Sequence, residues 1–169
     1  MEHFDMQSRY MEAYDRYADA LFRYCIIRVR NRDIAKDLVQ EAFFKAWTYV
    51  TEDKDIEHIQ ALLYRITRNA IIDLSRKKKE SSLEWLRESA NYDPPDPASY
   101  HQHDIIMESQ ALTYIDQLDE KYRDPIILRY IEDRSIKEIA SLLHESENTI
   151  SVRIYRGLQK LKTHFTINE

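Results

Sequence analysis

SIKEIASLLHESENTISVRIYRGLQKL, residues 135–161, decides how this chain is read: two helices joined by a short turn. Ser135 stands three residues before Glu138, the spacing of a capping box, in which hydroxyl and carboxylate each take the other residue's backbone N–H. Ile136, Ile139, Ala140 and Leu143 then fall at i, i+3, i+4 and i+7, one side of a helix. His144-Glu145 makes the turn and Ser146 is a second N-cap. In the helix that follows, Ile150, Ile154, Leu158 and Leu161 share one face. Asn148, Val152, Tyr155, Arg156 and Gln159 occupy the opposite face, flanked by Thr149, Arg153 and Lys160. From Asn148 to His164 there are four basic residues and no acidic one. A capped helix backed by another and basic on its free side suits the major groove, as a helix-turn-helix does. The alternative is a plain helical hairpin with a solvated face.

The totals are consistent with a helical protein. One glycine and four prolines in 169 residues, with no alternating β-branched runs, predict an all-α chain. No apolar stretch approaches the ~18 residues that span a bilayer. The opening MEHFDM lacks the basic-then-apolar pattern of a signal peptide. The lone Cys25 excludes an internal disulfide and fits a reducing cytoplasm. The net charge of −5 argues against coating nucleic acid by charge alone, but it is unevenly spread. Residues 1–80 carry 15 basic and 14 acidic side chains, residues 81–107 carry 1 and 5, and residues 108–169 carry 9 and 11.

Taken in order, Tyr10, Tyr14, Tyr17, Leu21, Tyr24, Cys25 and Arg28 recur every three or four residues, predicting one helix from about Met6 to Val29 with a core-facing aromatic stripe. Cys25 on that stripe reads as a packing residue. Asn31-Arg32-Asp33 is cap-like, and a second helix from about Asp33 to Val50 is apolar around most of its circumference. Its remaining stripe, Asp37, Gln40, Glu41 and Thr48 bordered by Phe44, is either a solvated ridge or a docking surface. A polar loop, Thr51–His58, precedes a third helix from about Ile59 to Lys77, with Leu62, Leu63, Ile66, Ala70 and Leu74 inward. Residues 65–79 hold six basic side chains and one acidic one, Asp73, a stripe suited either to solvent or to phosphates.

Residues 81–104, with three of the prolines and almost no basic charge, read as a flexible linker. Within it His101 and His103 lack a nearby cysteine or third ligand, so no metal site is assigned. Helix resumes near Ile105, and Pro125 predicts a helix start near Arg123 or a kink there. The expected organisation is a helical domain over 1–80, the linker, and a helix-turn-helix domain over 105–169. There is no convergent acid, base or nucleophile and no glycine-rich phosphate loop, so neither enzyme nor cofactor is expected.

Two separated segments carry a resemblance. DLVQEAFFKAW (37–47) with LLYRITRNAIIDLSR (62–76), followed by LDEKYRDPIILRYIEDRSIKEIASLL (118–143) with TISVRIYRG (149–157), resemble the second and fourth conserved domains of extracytoplasmic-function sigma factors of the sigma-70 family. The resemblance implies a subunit that lends promoter specificity to bacterial core RNA polymerase. Asp37, Gln40, Glu41 and Phe44 would dock on the beta-prime clamp helices. Tyr64, Arg65, Arg68, Asn69, Asp73 and Arg76 would bind the minus-ten element, with Tyr64 stacking on an unpaired base and the Thr51–His58 loop holding a flipped one. Asn148, Thr149, Val152, Arg153, Tyr155, Arg156, Gln159 and Lys160 would read the minus-thirty-five element, the last domain also meeting the beta flap. A membrane-linked anti-sigma protein would cover these surfaces, while the chain itself would stay cytoplasmic and not insert in the membrane. The chain departs from the family at His144 and Glu145, where glycine and an aliphatic residue are common, and at Asn148, Asp119 and Gly157, where glycine, proline and alanine are usual. A linker of about 24 residues spans at most ~80 Å, and promoter elements more than two turns apart lie on the order of 70–80 Å from each other at ~35 Å per turn. A dimeric helix-turn-helix repressor is the alternative, but it leaves Gln40-Glu41 and the 65–79 stripe unexplained.

Overall fold

The computed structural model describes residues 2–51, 59–85 and 105–167, and the regular structure among them is helical throughout. Helices α1 (Glu2–Val29), α2 (Arg32–Thr51) and α3 (Ile59–Trp85) pack on one another as an N-terminal unit. Helices α4 (Ile105–Asp116), α5 (Glu120–Tyr130), α6 (Ile136–Leu143) and α7 (Glu147–Ile167) form the second unit.

The stripe on α1 is core only in its second half, since Tyr10 and Tyr17 are half-buried and Tyr14, against expectation, is exposed. Leu21, Tyr24 and Cys25 are buried, and Tyr10 meets Phe43 and Trp47 of α2 edge to face. Burial pushes the Cys25 thiol up to about 12, so it stays protonated and serves as a small packing group. Asn31 caps α2: its side-chain oxygen accepts the N–H groups of Asp33 and Ile34, each at 3.0 Å. Ala35, Leu38, Val39, Ala42, Phe43 and Ala46 make α2 the buried centre of its unit.

Three boundaries differ from expectation, the first being α1, which starts at Glu2, four residues before the predicted Met6. Helix α3 continues to Trp85, past the expected domain limit at residue 80, because nothing between Lys77 and Trp85 breaks a helix. Helix α5 starts at Glu120, three residues before the predicted start, and continues across Pro125. A proline this near the helix start forfeits one hydrogen bond, and its ring is buried beside Ile126, Ile127 and Leu128, which offsets the loss. Residues 52–58, most of the expected loop, and 86–104, most of the expected linker with His101 and His103, lie outside the described residues.

The capping box of α6 is formed. Ser135 N–H donates to Glu138 Oε2 at 2.8 Å, and Glu138 N–H to the Ser135 hydroxyl at 3.2 Å. His144 ends α6 in the left-handed region, at φ 52°, and the Ser146 hydroxyl caps α7 by accepting the Thr149 N–H at 3.1 Å. Helix α6 also packs against α3, so the helix-turn-helix unit rests on the N-terminal unit.

Candidate nucleic-acid and partner interfaces

The first candidate surface is on α2. Asp37, Gln40, Glu41 and Phe44 are all exposed, with Phe44 at 70%. Glu41 pairs with Lys45 along the helix at 2.5 Å. Phe44 does not stand alone: Met11 and Tyr14 of α1, also exposed, join it with Tyr10, Phe43 and Trp47 around a groove of about 350 Å³ edged by Gln40. The spacing on α2 identified the ridge but not its α1 half, because Tyr14 lies on the same stripe as the buried Tyr24.

The second surface is on α3. Arg65, Asn69, Asp73 and Arg76 are exposed and fall within about 80° of one another at about 100° per residue. Asp73 and Arg76 pair at 3.4 Å. The other two residues assigned to this face are turned elsewhere. Tyr64 is buried, its ring centroid 5.4 Å from that of Tyr24, and burial followed by the Glu132 carboxylate raises its hydroxyl to about 12. In this arrangement no base can reach the Tyr64 ring. Arg68 donates from Nε to Asp124 Oδ2 at 2.5 Å, toward α5 instead of solvent.

The third surface is on α7. Asn148, Val152, Tyr155, Arg156, Gln159 and Lys160 are exposed, while Ile150 and Ile154 are buried beneath them. Thr149 and Arg153 are half-buried and organise the turn: the Thr149 hydroxyl meets that of Ser146 at 2.8 Å, and Arg153 pairs with Glu145 at 2.8 Å. Lys160 lies 5.6 Å over the Tyr122 ring. Gly157 lets α7 approach α5 closely, since a Cβ there would meet Ile126 Cδ1 at 2.5 Å.

A fourth constellation, between the units, was not found by sequence reasoning. Asp124 is fully buried and receives the Tyr24 hydroxyl at 2.8 Å in addition to Arg68, with Arg28 Nη1 at 3.5 Å. Arg28, almost wholly buried, reaches Glu120 at 2.7 Å. Burial disfavours the Arg28 and Arg68 charges, but Asp124 leads the neighbours that more than offset this, and both guanidinium groups stay charged. Burial, then the Asp124 charge, lift Tyr24 well above its ordinary value. At the rim Arg30 meets Asp116 at 2.9 Å and Arg23 meets Glu132 at 3.5 Å. Among the described residues no helix is long and apolar enough to cross a membrane.

Comparison with known proteins places both units. The family description "Sigma-70 region 2" matches residues 13–81, and "Sigma-70, region 4" matches residues 109–161. The chain is 30% identical over 151 residues to the RNA polymerase sigma factor SigV of Bacillus subtilis, covering 86% of this chain and 84% of that protein. It is 28% identical over 153 residues to the ECF RNA polymerase sigma factor SigM of the same organism, covering 89% and 91%. Two solved structures share its fold, each at a TM-score of 0.67. One is the sigma factor RpoE with the anti-sigma factor NepR from Bartonella quintana, 22% identical, covering 95% of this chain and 99% of that one. The other is CnrH with the cytosolic domain of CnrY, 24% identical, covering 96% and 91%.

Proposed function

The chain belongs to the extracytoplasmic-function group of the sigma-70 family, a non-enzymatic RNA polymerase sigma factor with a region 2 and a region 4, and from that premise we propose how its surfaces divide promoter recognition. The groove between α1 and α2, edged by Gln40 and Phe44, docks together with the exposed Asp37 and Glu41 of α2 on the clamp helices of the polymerase beta-prime subunit. Its apolar centre and polar edge have the make-up of a protein interface. The α3 stripe of Arg65, Asn69, Asp73 and Arg76 takes the minus-ten element. Arg68 and Tyr64 join it once α3 is uncovered, the Tyr64 ring stacking on an unpaired base for about 1–3 kcal/mol. Helix α7 enters the major groove at the minus-thirty-five element. Asn148, Val152, Tyr155, Arg156, Gln159 and Lys160 face the DNA, with Thr149 and Arg153 holding the helix start, and the same unit meets the beta flap.

The observation that carries this division is the coexistence of the exposed α3 stripe, inside the region 2 match, with the exposed α7 face, inside the region 4 match. A dimeric repressor accounts only for the second. One structural neighbour is a sigma factor bound to an anti-sigma factor, and we assign such a partner, membrane-linked, to this protein as well. Promoter melting is then driven by base capture and polymerase contacts in the cytoplasm.

Transcription by purified core polymerase, with and without the protein, over promoter fragments from the source genome tests the assignment. New start sites are expected, and they should vanish when Gln40 and Glu41 are both replaced by alanine. Start sites unaffected by that pair would remove the α2 ridge from the polymerase interface. Co-purification under non-inducing conditions that recovers polymerase but no small partner would count against the anti-sigma assignment.

A further inference from the structure

The ion pairs between the two units are one-sided in charge: arginines Arg23 and Arg28 of α1, Arg30 just after it and Arg68 of α3 meet acids Asp116, Glu120, Asp124 and Glu132 of the C-terminal unit. At their centre Asp124 is fully buried between Tyr24, Arg28 and Arg68. Beside them α6 lies against α3, Leu142 and Ser141 sharing a groove with Tyr17, Ile59 and Ala61. This arrangement is incompatible with binding one promoter through both units. Packed helices lie about 8–10 Å apart, whereas the two promoter elements are on the order of 70–80 Å apart at ~35 Å per turn. It also withholds two residues of the proposed minus-ten face, since Arg68 holds Asp124 and Tyr64 is buried.

We propose that this acidic face of the region 4 unit latches onto the arginines of the region 2 unit through Asp124, closing the free sigma factor into an autoinhibited state that must open before promoter binding. The inference rests on the reading of α3 as the minus-ten face. A latch made of charges suits a reversible contact better than an apolar one does. Each carboxylate and guanidinium regains water on opening, so desolvation and Coulomb attraction nearly balance. Phosphates of the promoter then compete with Asp124 for Arg68 in the same chemical terms. The latch needs no second protein, so an anti-sigma factor would act on a chain already closed.

Small-angle X-ray scattering on the full chain reads the closure directly. The wild type is expected to be compact, and Asp124→Ala to raise its radius of gyration. Because Asp124→Ala strips a buried cluster of its acceptor, Asp116→Arg at the half-exposed rim serves as the second variant, checked for folding by circular dichroism. It should expand the chain toward the same radius, and adding Arg30→Asp should restore compactness. Both opened variants should bind a single-stranded oligonucleotide carrying a mapped non-template minus-ten segment severalfold more tightly than the wild type, and raise transcription severalfold at limiting core polymerase. An expanded wild type unchanged by either variant overturns the latch, and so does expansion without tighter strand binding. Failure of the underlying minus-ten reading is separable: Arg65→Ala with Asn69→Ala, both exposed on α3 and outside the latch, would then leave strand binding of the opened variants unchanged.

Discussion

The Tyr24 hydroxyl donates to Asp124 Oδ1 at 2.8 Å across 100 residues of sequence, joining the C-terminal part of α1 to the middle of α5. Both residues are buried, so the carboxylate has no water to replace a lost donor. Tyr24→Phe keeps the ring packed on Tyr64 and removes only the hydroxyl. It should lower stability to denaturant by about 1.5–3 kcal/mol, the range for hydrogen bonds to charged groups. A loss below a few tenths would mean that Arg28 and Arg68 satisfy Asp124 without it.

The α2 groove separates binding from folding. Phe44 is 70% exposed, so Phe44→Ala should leave the melting temperature within about a degree or two, as surface substitutions usually stay within about 0.5 kcal/mol. An aromatic anchor at an interface centre is worth about 2 kcal/mol or more, so affinity for core polymerase should fall at least ~10-fold. Titration of labelled protein with core polymerase checks this.

His144 adopts φ 52°, a conformation that costs a residue with a Cβ about 1–2 kcal/mol. Here glycine, common at this place in the family, is the better local fit. Part of the gain is lost to the greater freedom of an unfolded glycine. His144→Gly is therefore expected to raise stability by about 0.5–1 kcal/mol, read by thermal or chemical unfolding.

Gly157 shows why the alanine usual in relatives is not a free improvement here. Alanine would gain about 1 kcal/mol of helix propensity. Its Cβ, however, falls 2.5 Å from Ile126 Cδ1 and 3.2 Å from Tyr122 Cβ, in a buried contact between α7 and α5. The Ile126 tip can shift, while Tyr122 Cβ is tied to its backbone. Gly157→Ala should stay within about 1 kcal/mol of the wild type, whereas Gly157→Val should cost about 2–3 kcal/mol by overpacking. Equal stability for both would show the contact to be loose.

Glu138 links the helix-turn-helix to pH. The Ser135 backbone N–H, bonded to its carboxylate, holds its pKa below the ordinary 4.5. A group depressed in the folded state stabilises above its unfolded pKa and loses that contribution as pH falls through the folded value. Stability of the C-terminal unit should therefore decline below about pH 4.5 more steeply in the wild type than in Glu138→Gln. Parallel acid titrations of the two proteins would refute the capping box as the cause.

By itself the sequence determined each helix, the capped turn between α6 and α7, and which faces of α2 and α7 are covered, because these follow from spacing over one or two turns. Residues such as Ile150 and Ile154 inside with Tyr155 and Arg156 outside need no knowledge of the rest of the chain. The α3 face was only partly legible. Arg65, Asn69 and Arg76 are where periodicity puts them, but the same periodicity could not show that Arg68 would be taken by Asp124 or that Tyr64 would be covered. Arg28 read as one more member of the α1 stripe, and nothing in the stretch around Asp124 singled that residue out. Their pairing depends on two units meeting across 92 to 100 residues, where no local rule reaches. Tertiary structure alone decided it, since a buried carboxylate is tolerable only where donors from distant helices arrive together.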